Sequence, residues 1–147
     1  MLTESAGFML HFFYDSLMML KEFMLVGLGG AVGSMLRYAI ARLMLTLQFS
    51  FWGFPAATFI GNMLGSLLVG FVAGLFQQTL TQIPPGYQLL IITGFCGGFT
   101  TFSTFSNETF LLLEAGRYGV AGSYVVLSLL FGLLSVWAGY ALSTRMT

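Results

Sequence analysis

The sequence has few charged residues and almost no reactive ones. Only 7% of its 147 residues are Asp, Glu, Lys or Arg, and the five basic residues balance the five acidic ones. Without an excess of positive charge, the chain offers no surface that would attract nucleic acid or lipid headgroups by charge. A single cysteine, Cys96, excludes an internal disulfide, and a single histidine, His11, excludes an ordinary His/Cys metal cluster. Candidates for enzyme chemistry are therefore few.

The chain is instead rich in apolar residues, since 57% of the sequence is hydrophobic and 16% is aromatic. A water-soluble domain of this size would aggregate with so much apolar surface. A polypeptide that crosses a bilayer must satisfy its own backbone hydrogen bonds, either in helices or in a closed barrel. The run 120–140 is continuously apolar rather than alternating, and this pattern favours helices.

Four stretches are long enough to cross a hydrocarbon core, which requires about 20 apolar residues of helix. The breaks between them are short, so we predict that residues 23–147 form a single all-α membrane domain. The predicted spans are Phe23–Leu47, Trp52–Phe76, Tyr87–Leu113 and Val120–Leu142.

Residues 1–22 precede the first predicted span. This segment is apolar but is interrupted by His11 and Asp15, and it lacks the basic n-region and the cleavage site of a signal peptide. We expect an interfacial helix or a disordered extension rather than a fifth span, with a functional arm as the alternative. Met19 or Met24 would be a natural start of the chain.

Basic residues at the two ends of the spans are nearly balanced. With four spans both termini lie on one side, together with Lys21 and Arg145, while Arg42 and Arg117 lie on the other side. Because orientation follows the Lys/Arg bias of short loops, a chain without that bias can insert both ways. Opposite orientations would pair as an antiparallel homodimer with a two-fold axis in the membrane plane. The alternative is that five charges are too few to indicate a preference.

Pairs of glycines four residues apart predict close contact between helices. Small residues at this spacing let two backbones approach, so the pattern indicates packing and does not specify a function. The pairs are Gly29 with Gly33, Gly61 with Gly65, and Gly70 with Gly74.

The middle of the third predicted span is a poor helix. Gly97 and Gly98 each lower helix propensity by about 1 kcal/mol, and the hydroxyls that follow compete for backbone hydrogen bonds. We therefore predict a broken third helix around Gly97–Thr100. Freed carbonyls at that depth need a partner, and those of Gly97 and Thr100 are candidates to bind Na⁺ at the two-fold axis. A glycine kink without an ion is the alternative.

Aromatic and hydroxyl side chains are interleaved after this predicted break. Phe99, Phe102 and Phe105 recur every three residues, and the positive edges of their rings suit a small anion in a dry passage. Together with hydroxyl donors they favour an anion path, with core packing as the alternative. The hydroxyl residues are Thr101, Ser103, Thr104 and Ser106.

Polar residues in the other spans extend this candidate path. Asn62, near the middle of the second span, offers two hydrogen-bond donors. Tyr124, Ser128 and Ser135 fall on one face of the fourth span. Interhelical hydrogen bonding, at about 0.6–2 kcal/mol for each bond, is the alternative for both groups.

Arg37 and Glu108 are the two charged residues predicted to lie deepest in the membrane, where ionisable groups usually serve a function. Arg37 would extend to the interface or attract anions into a vestibule. Glu108 would cap the second half of the broken helix, accept hydrogen bonds from hydroxyls or take part in permeation. The sequence leaves these alternatives open.

The chain after residue 22 closely resembles the Fluc or CrcB proteins, a family of small dual-topology fluoride channels. The run of phenylalanine and hydroxyl residues that follows Gly97 and Gly98 is the most specific part of the resemblance. The motifs that carry it are Gly29-Gly30-x-x-Gly33-x-x-x-Arg37-Tyr38, Thr58-x-x-Gly61-Asn62-x-x-Gly65-Ser66, and the stretch from Gly94 to Glu108 with Gly97-Gly98-Phe99-Thr100-Thr101-Phe102-Ser103-Thr104-Phe105-Ser106.

The resemblance implies an antiparallel homodimer in the cell (inner) membrane, with two fluoride pores and a central structural Na⁺ held by the carbonyls of Gly97 and Thr100. Phe102 and Phe105 would present ring edges to fluoride, Asn62 would donate a hydrogen bond, and the fourth span would supply a polar track. The candidate pore residues are Asn62, Thr101, Phe102, Ser103, Phe105, Glu108, Tyr124 and Ser128, with Arg37 in the vestibule.

This chain departs from the family pattern in two places. Some relatives carry a hydroxyl one turn beyond Ser128, where this chain has Gly132. The resemblance therefore leaves the far end of the polar track undefined. Residues 1–22 also lie outside the pattern, and the resemblance gives them no role.

Passive export is sufficient for such a channel, because fluoride enters from acidic surroundings as neutral HF and is trapped inside as the ion. The sequence shows no phosphate-binding glycine loop, which agrees with a pore that needs no ATP. A proton-coupled multidrug exporter is the main alternative, but it needs a buried acid in the first span, and Glu22 lies at the membrane edge. A membrane enzyme is less favoured because the spans hold no nucleophile, base and orienting acid together. A structural assembly subunit would leave the phenylalanine and hydroxyl run unexplained.

Overall fold

The structure is a computed structural model that describes residues 2–47, 53–78 and 84–145. The described residues lie mostly in helices, and a π-helical stretch, Leu89–Cys96, joins two of the α-helices. The α-helices are α1 (Leu2–Thr46), α2 (Ala56–Gln78), α3 (Pro85–Gln88), α4 (Gly97–Phe99), α5 (Phe102–Glu114) and α6 (Tyr118–Thr144).

Four helical segments of the described chain are long and apolar enough to cross a membrane, which confirms the number of spans predicted from the sequence. The second begins at Ala56, after Pro55, and Trp52 lies outside the described residues. The third span begins at Pro85, where proline is favourable because the first helical amide needs no partner. The segments are His11–Thr46, Ala56–Gln77, Pro85–Glu114 (the third span below) and Tyr118–Thr144.

The first helix is much longer than predicted. It continues through Phe23 without a break, so residues 2–22 belong to α1, and its 45 residues make it about 67 Å long. The two polar residues that interrupt this segment do not end the helix. His11 Nδ1 lies 2.8 Å from Asp15 Oδ2, an i,i+4 pair that supports helix, and the stretch contains no proline. Large apolar side chains here, such as Phe12 and Leu17, are exposed on the subunit.

Close backbone contact joins α1 to the third span. A Cβ atom on Gly29 would overlap the carbonyl oxygen of Leu90, and one on Gly33 would overlap that of Phe95. This confirms the first predicted glycine pair, because any larger side chain would force the two helices apart.

The other glycine pairs are confirmed only in part. A Cβ on Gly70 would overlap the backbone of α6, one on Gly74 would overlap Ser143, and one on Gly65 would overlap Thr100. At Gly61, by contrast, no neighbouring atom lies within 4 Å of such a Cβ. The prediction of a close helix contact at Gly61 was therefore wrong for the subunit, because no described neighbouring backbone approaches this position.

The third span changes its backbone conformation within its length. Gly97 is helical, with φ −62° and ψ −37°, whereas Thr100 (φ −83°, ψ 156°) and Thr101 (φ −149°, ψ 117°) are extended. The glycines are therefore not themselves unwound. Gly98 serves packing, because a Cβ there would overlap the carbonyl oxygen of Gly30 on α1.

We predict that Gly33→Ala lowers the melting temperature of the purified protein in detergent. The added methyl group would press on backbone atoms of Phe95 and Phe99, and overpacking of this kind typically costs about 1–3 kcal/mol. Gly27→Ala is the matched control on the same helix, because no atom lies within 4 Å of a Cβ at Gly27. Equal melting temperatures for the two variants would show that Gly33 is not at a close contact.

Candidate functional site

Asn62 on α2 holds the extended part of the third span through a pair of hydrogen bonds. Its Oδ1 accepts from the Thr101 amide at 2.9 Å, and its Nδ2 donates to the Thr101 carbonyl at 3.3 Å. In a continuous α-helix the Thr101 amide would donate to the carbonyl of Gly97, four residues earlier. The side chain of Asn62 thus replaces a backbone partner, and the Gly97 carbonyl loses its helical donor.

Thr101 also begins the helix that follows. Its Oγ1 accepts a hydrogen bond from the Thr104 amide at 3.2 Å and donates to Thr104 Oγ1 at 3.0 Å. A hydroxyl at this position satisfies one of the free amides at a helix start. The Thr104 amide is therefore withdrawn from the carbonyl of Thr100. Because Thr101 is the N-cap of α5, the alternative in which Glu108 caps this helix was wrong.

Arg37 and Ser34 on α1 bind the carbonyl oxygen of Gly98, which lies between Gly97 and Thr100 in the sequence. Arg37 Nε donates to the Gly98 carbonyl oxygen at 3.1 Å, and Ser34 Oγ donates to the same atom at 3.3 Å. A cation at the carboxyl end of a helix also balances its partial negative charge. Sequence reasoning missed this contact because Arg37 and Gly98 are 61 residues apart and no local pattern relates them.

Arg37 and Glu108, the two deep charges, line one cavity of about 500 Å³, which we call the vestibule cavity. Arg37 remains partly exposed and Glu108 is partly buried. Three threonine hydroxyls also line this space, so a basic group, an acidic group and several neutral donors face the same volume. The threonines are Thr58, Thr101 and Thr104.

Both carboxylate oxygens of Glu108 accept hydrogen bonds from hydroxyls. Thr58 Oγ1 on α2 donates to Oε1 at 2.8 Å, and the Tyr124 hydroxyl on α6 donates to Oε2 at 2.8 Å. This agrees with one of the three roles considered for Glu108 from the sequence, namely that it accepts hydrogen bonds from hydroxyls. Thr58 was not predicted as a site residue, although it precedes Asn62 by one helical turn and so shares its face.

Tyr124 is fully buried, with 0% of its surface exposed, and lies in a cluster of aromatic rings. Its ring centroid is 5.0 Å from that of Phe105 and 5.2 Å from that of Phe54. Edge-to-face and tilted arrangements at these distances are favourable because the positive ring edge meets a negative ring face. The cluster fixes the hydroxyl of Tyr124 against Glu108.

A second cavity, of about 330 Å³, shares Thr101 with the vestibule cavity and is called the inner cavity here. The hydroxyl oxygen of Ser128 is buried and has no hydrogen-bond partner among the described residues. Phe102 is 80% exposed on the subunit, and its ring centroid is 5.9 Å from that of Phe105. The inner cavity is lined by Asn62, Met63, Ser66, Val69, Thr100, Thr101, Phe102, Phe105, Ser128, Leu129, Gly132 and Val136.

Three hydroxyl residues singled out in the sequence line neither of these two cavities. Ser103 is exposed, although its Oγ lies 3.3 Å from that of Thr101. Ser106 donates back to the Phe102 carbonyl at 2.9 Å, and Ser135 donates to the sulfur of Met63 at 3.8 Å. Ser135 therefore does not line the inner cavity, although it lies on the same continuous helix as Tyr124 and Ser128.

Four helical segments that are long and apolar enough to cross a membrane define a small multi-pass membrane protein. The chain belongs to the CrcB family, because residues 24–140 match the model described as CrcB-like protein, Camphor Resistance (CrcB). This confirms the resemblance found in the sequence.

Curated relatives over most of the chain are named fluoride-specific ion channel FluC. The protein from Chlorobaculum tepidum is 47% identical over 126 residues, which cover 86% of this chain and 97% of the relative. The protein from Azobacteroides pseudotrichonymphae is 42% identical over 125 residues, with 85% and 98% covered, and that from Methanococcus aeolicus is 41% identical over 124 residues, with 84% and 96% covered. These names place the chain with ion channels and not with enzymes, as the sequence predicted.

We predict that Asn62→Asp destabilises the folded protein. The carboxylate would still accept from the Thr101 amide but would face the Thr101 carbonyl without a donor, and an unsatisfied buried group costs about 1–3 kcal/mol. Asn107→Asp, at an exposed position on α5, is the matched control. The melting temperatures of the two variants in detergent decide the matter, and an equal effect would contradict the pairing with Thr101.

Proposed function

We propose that the protein is a fluoride-selective channel that exports fluoride passively across the cell (inner) membrane. The observation that carries the proposal is the buried hydroxyl of Ser128. It has no hydrogen-bond partner in the described part of the chain, and Ser128 lines the inner cavity together with Phe102 and Phe105. A small anion would accept a hydrogen bond from this hydroxyl and meet the positive ring edges. The names of the relatives support the same ion.

Fluoride and chloride would be separated by hydration and size. Fluoride is small and strongly hydrated, so it needs hydrogen-bond donors that replace water at close range, and a narrow space admits it before chloride. No basic side chain lines the inner cavity within the described residues. The ion would then be held by neutral donors, weakly enough to leave, as conduction requires.

The vestibule cavity would collect the ion. Arg37 supplies positive potential at its wall, and the hydroxyls that line it replace part of the hydration shell. Glu108 is held by Thr58 and Tyr124 and stands between this cavity and the aromatic cluster. Since Thr101 lines both cavities, we propose that the ion passes at Thr101, with Ser103 on its exposed side.

We further propose an antiparallel dual-topology homodimer with two pores. Phe102 lines the inner cavity and yet is 80% exposed on the subunit, so a second copy would complete the wall there. The balanced basic residues support insertion in both orientations. A two-fold axis gives each copy the same cavity, and the dimer therefore has two pathways.

A structural Na⁺ would bind at the two-fold axis to the carbonyl oxygens of Gly97 and Thr100. Asn62 and the Thr101 hydroxyl bind the amides that would otherwise serve these oxygens. Carbonyl oxygens are the ligands that a hard cation prefers. Gly97 is exposed on the subunit, as a site shared with a second copy requires. The ion would neutralise the exposed carbonyls and join the two subunits.

We predict that the purified protein in liposomes releases fluoride at least about 100-fold faster than chloride, because only fluoride fits the donors of the inner cavity. A fluoride electrode and a chloride electrode measure the two rates. Phe102→Ile should reduce fluoride efflux strongly, since it removes a ring edge from the cavity. Phe110→Ile is its control, being exposed on the same helix and outside the inner cavity. Equal release of both ions would contradict the proposal.

A separate prediction concerns the cation. Dialysis into buffer in which N-methylglucamine replaces Na⁺ should lower the dimer fraction measured by size-exclusion chromatography, because the carbonyls at the interface would be left unpaired. Re-addition of Na⁺ should restore the dimer, and elemental analysis of the desalted dimer should find about one sodium per two chains. A dimer that retains no sodium and persists without it would contradict a structural ion.

A further inference from the structure

The donors that α6 offers to the inner cavity end at Ser128. Gly132 lies one turn beyond Ser128 on the same face of α6 and lines the cavity without a side chain. One turn further, the same face carries Val136, which is apolar. An anion that follows α6 would therefore lose its hydrogen bonds after Ser128.

The helix α2 runs parallel to α6 and provides donors at this level. Met63 on α2 contacts Gly132 and Ser135 on α6, and Leu67 on α2 contacts Gly139 on α6. Residue numbers therefore increase in the same direction along the two helices. Asn62 is thus level with Gly132, and Ser66 follows Asn62 by one turn on the same face.

Other polar groups in the lining are already used. Thr100 Oγ1 donates to the Cys96 carbonyl at 2.8 Å, and Thr101 Oγ1 donates to Thr104. The amide of Asn62 gives one of its two hydrogens to the Thr101 carbonyl. The hydroxyls that remain to face the cavity are those of Ser128 and Ser66.

We propose that Ser66 forms an anion subsite in this chain, where the polar track has crossed from α6 to α2 beyond Ser128. The proposal rests on the function proposed above and extends it to the far end of the inner cavity. Its ligand is fluoride or a similarly small anion that accepts a hydrogen bond from the Ser66 hydroxyl. Successive donors at Ser128, Asn62 and Ser66 would then be about one helical turn, or roughly 5 Å, apart along the axis.

Val136 permits a rescue experiment, because it lines the inner cavity one turn beyond Gly132 and is therefore level with Ser66. Threonine has nearly the shape of valine, so Val136→Thr adds a hydroxyl with little change in packing. It would supply from α6 the donor that Ser66 is proposed to supply from α2.

The experiment measures fluoride efflux from liposomes for Ser66→Ala and for the double variant Ser66→Ala/Val136→Thr. Loss of a hydrogen bond to a charged group should reduce efflux about tenfold or more in the single variant. The double variant should recover to within about threefold of the unmodified protein. Ser123→Ala is the matched control, because that hydroxyl is exposed on α6, donates to the Val120 carbonyl and lies outside both cavity linings, and it should leave efflux unchanged.

The outcomes separate this inference from the function on which it rests. Fluoride efflux by the unmodified protein together with unchanged efflux in Ser66→Ala would overturn the subsite and leave the channel proposal standing. An unmodified protein that passes no fluoride would overturn both. If Ser66→Ala lowers the melting temperature, the nearly isosteric Ser66→Cys takes its place. Reduced efflux that Val136→Thr does not restore would also overturn the subsite.

Discussion

The pairing of the Asn62 side chain with the Thr101 backbone is the interaction on which the rest of the site depends. The side-chain amide of Asn62 gives the Thr101 backbone a hydrogen-bond partner from another helix. Within a membrane-spanning segment, an unpaired backbone amide or carbonyl is costly. If the Thr101 amide bound the Gly97 carbonyl instead, the third span would continue as one helix. The two extended residues change the direction in which the following phenylalanines point, and they free the carbonyls before them.

The freed groups connect the other helices to this point. The Gly98 carbonyl accepts hydrogen bonds from Arg37 and Ser34 on α1. Glu108, on the helix α5 that follows the extended residues, accepts hydrogen bonds from Thr58 on α2 and from Tyr124 on α6. All four spans therefore meet around the extended segment through polar contacts. Close glycine contacts join the same helices at other levels, as between Gly29 and Leu90 or between Gly70 and Val136.

The division of charge between the two cavities follows from the same geometry. Among the described residues that line the vestibule cavity, Arg37 and Glu108 carry the charged side chains, and both are held by hydrogen bonds to other groups. The inner cavity is lined by neutral donors and rings alone within the described chain. A fixed charge in so confined a space would bind a counter-ion tightly, because Coulomb interactions strengthen as the dielectric constant falls.

Composition and hydrophobic length by themselves determined that the chain has four spans, and the spacing of Gly29 and Gly33 indicated where two helices touch, because burial in lipid and close packing leave local patterns. The same reasoning placed a break around Gly97–Thr100, whereas Gly97 is helical and the extended residues are Thr100 and Thr101. It also began the first span at Phe23, although α1 begins at Leu2. Only the tertiary structure decided that Thr100 and Thr101 are extended, that Arg37 binds Gly98, and that Ser66 shares a cavity with Ser128. These depend on which helix faces meet, and residues 50 or more positions apart carry no common pattern from which their contact follows.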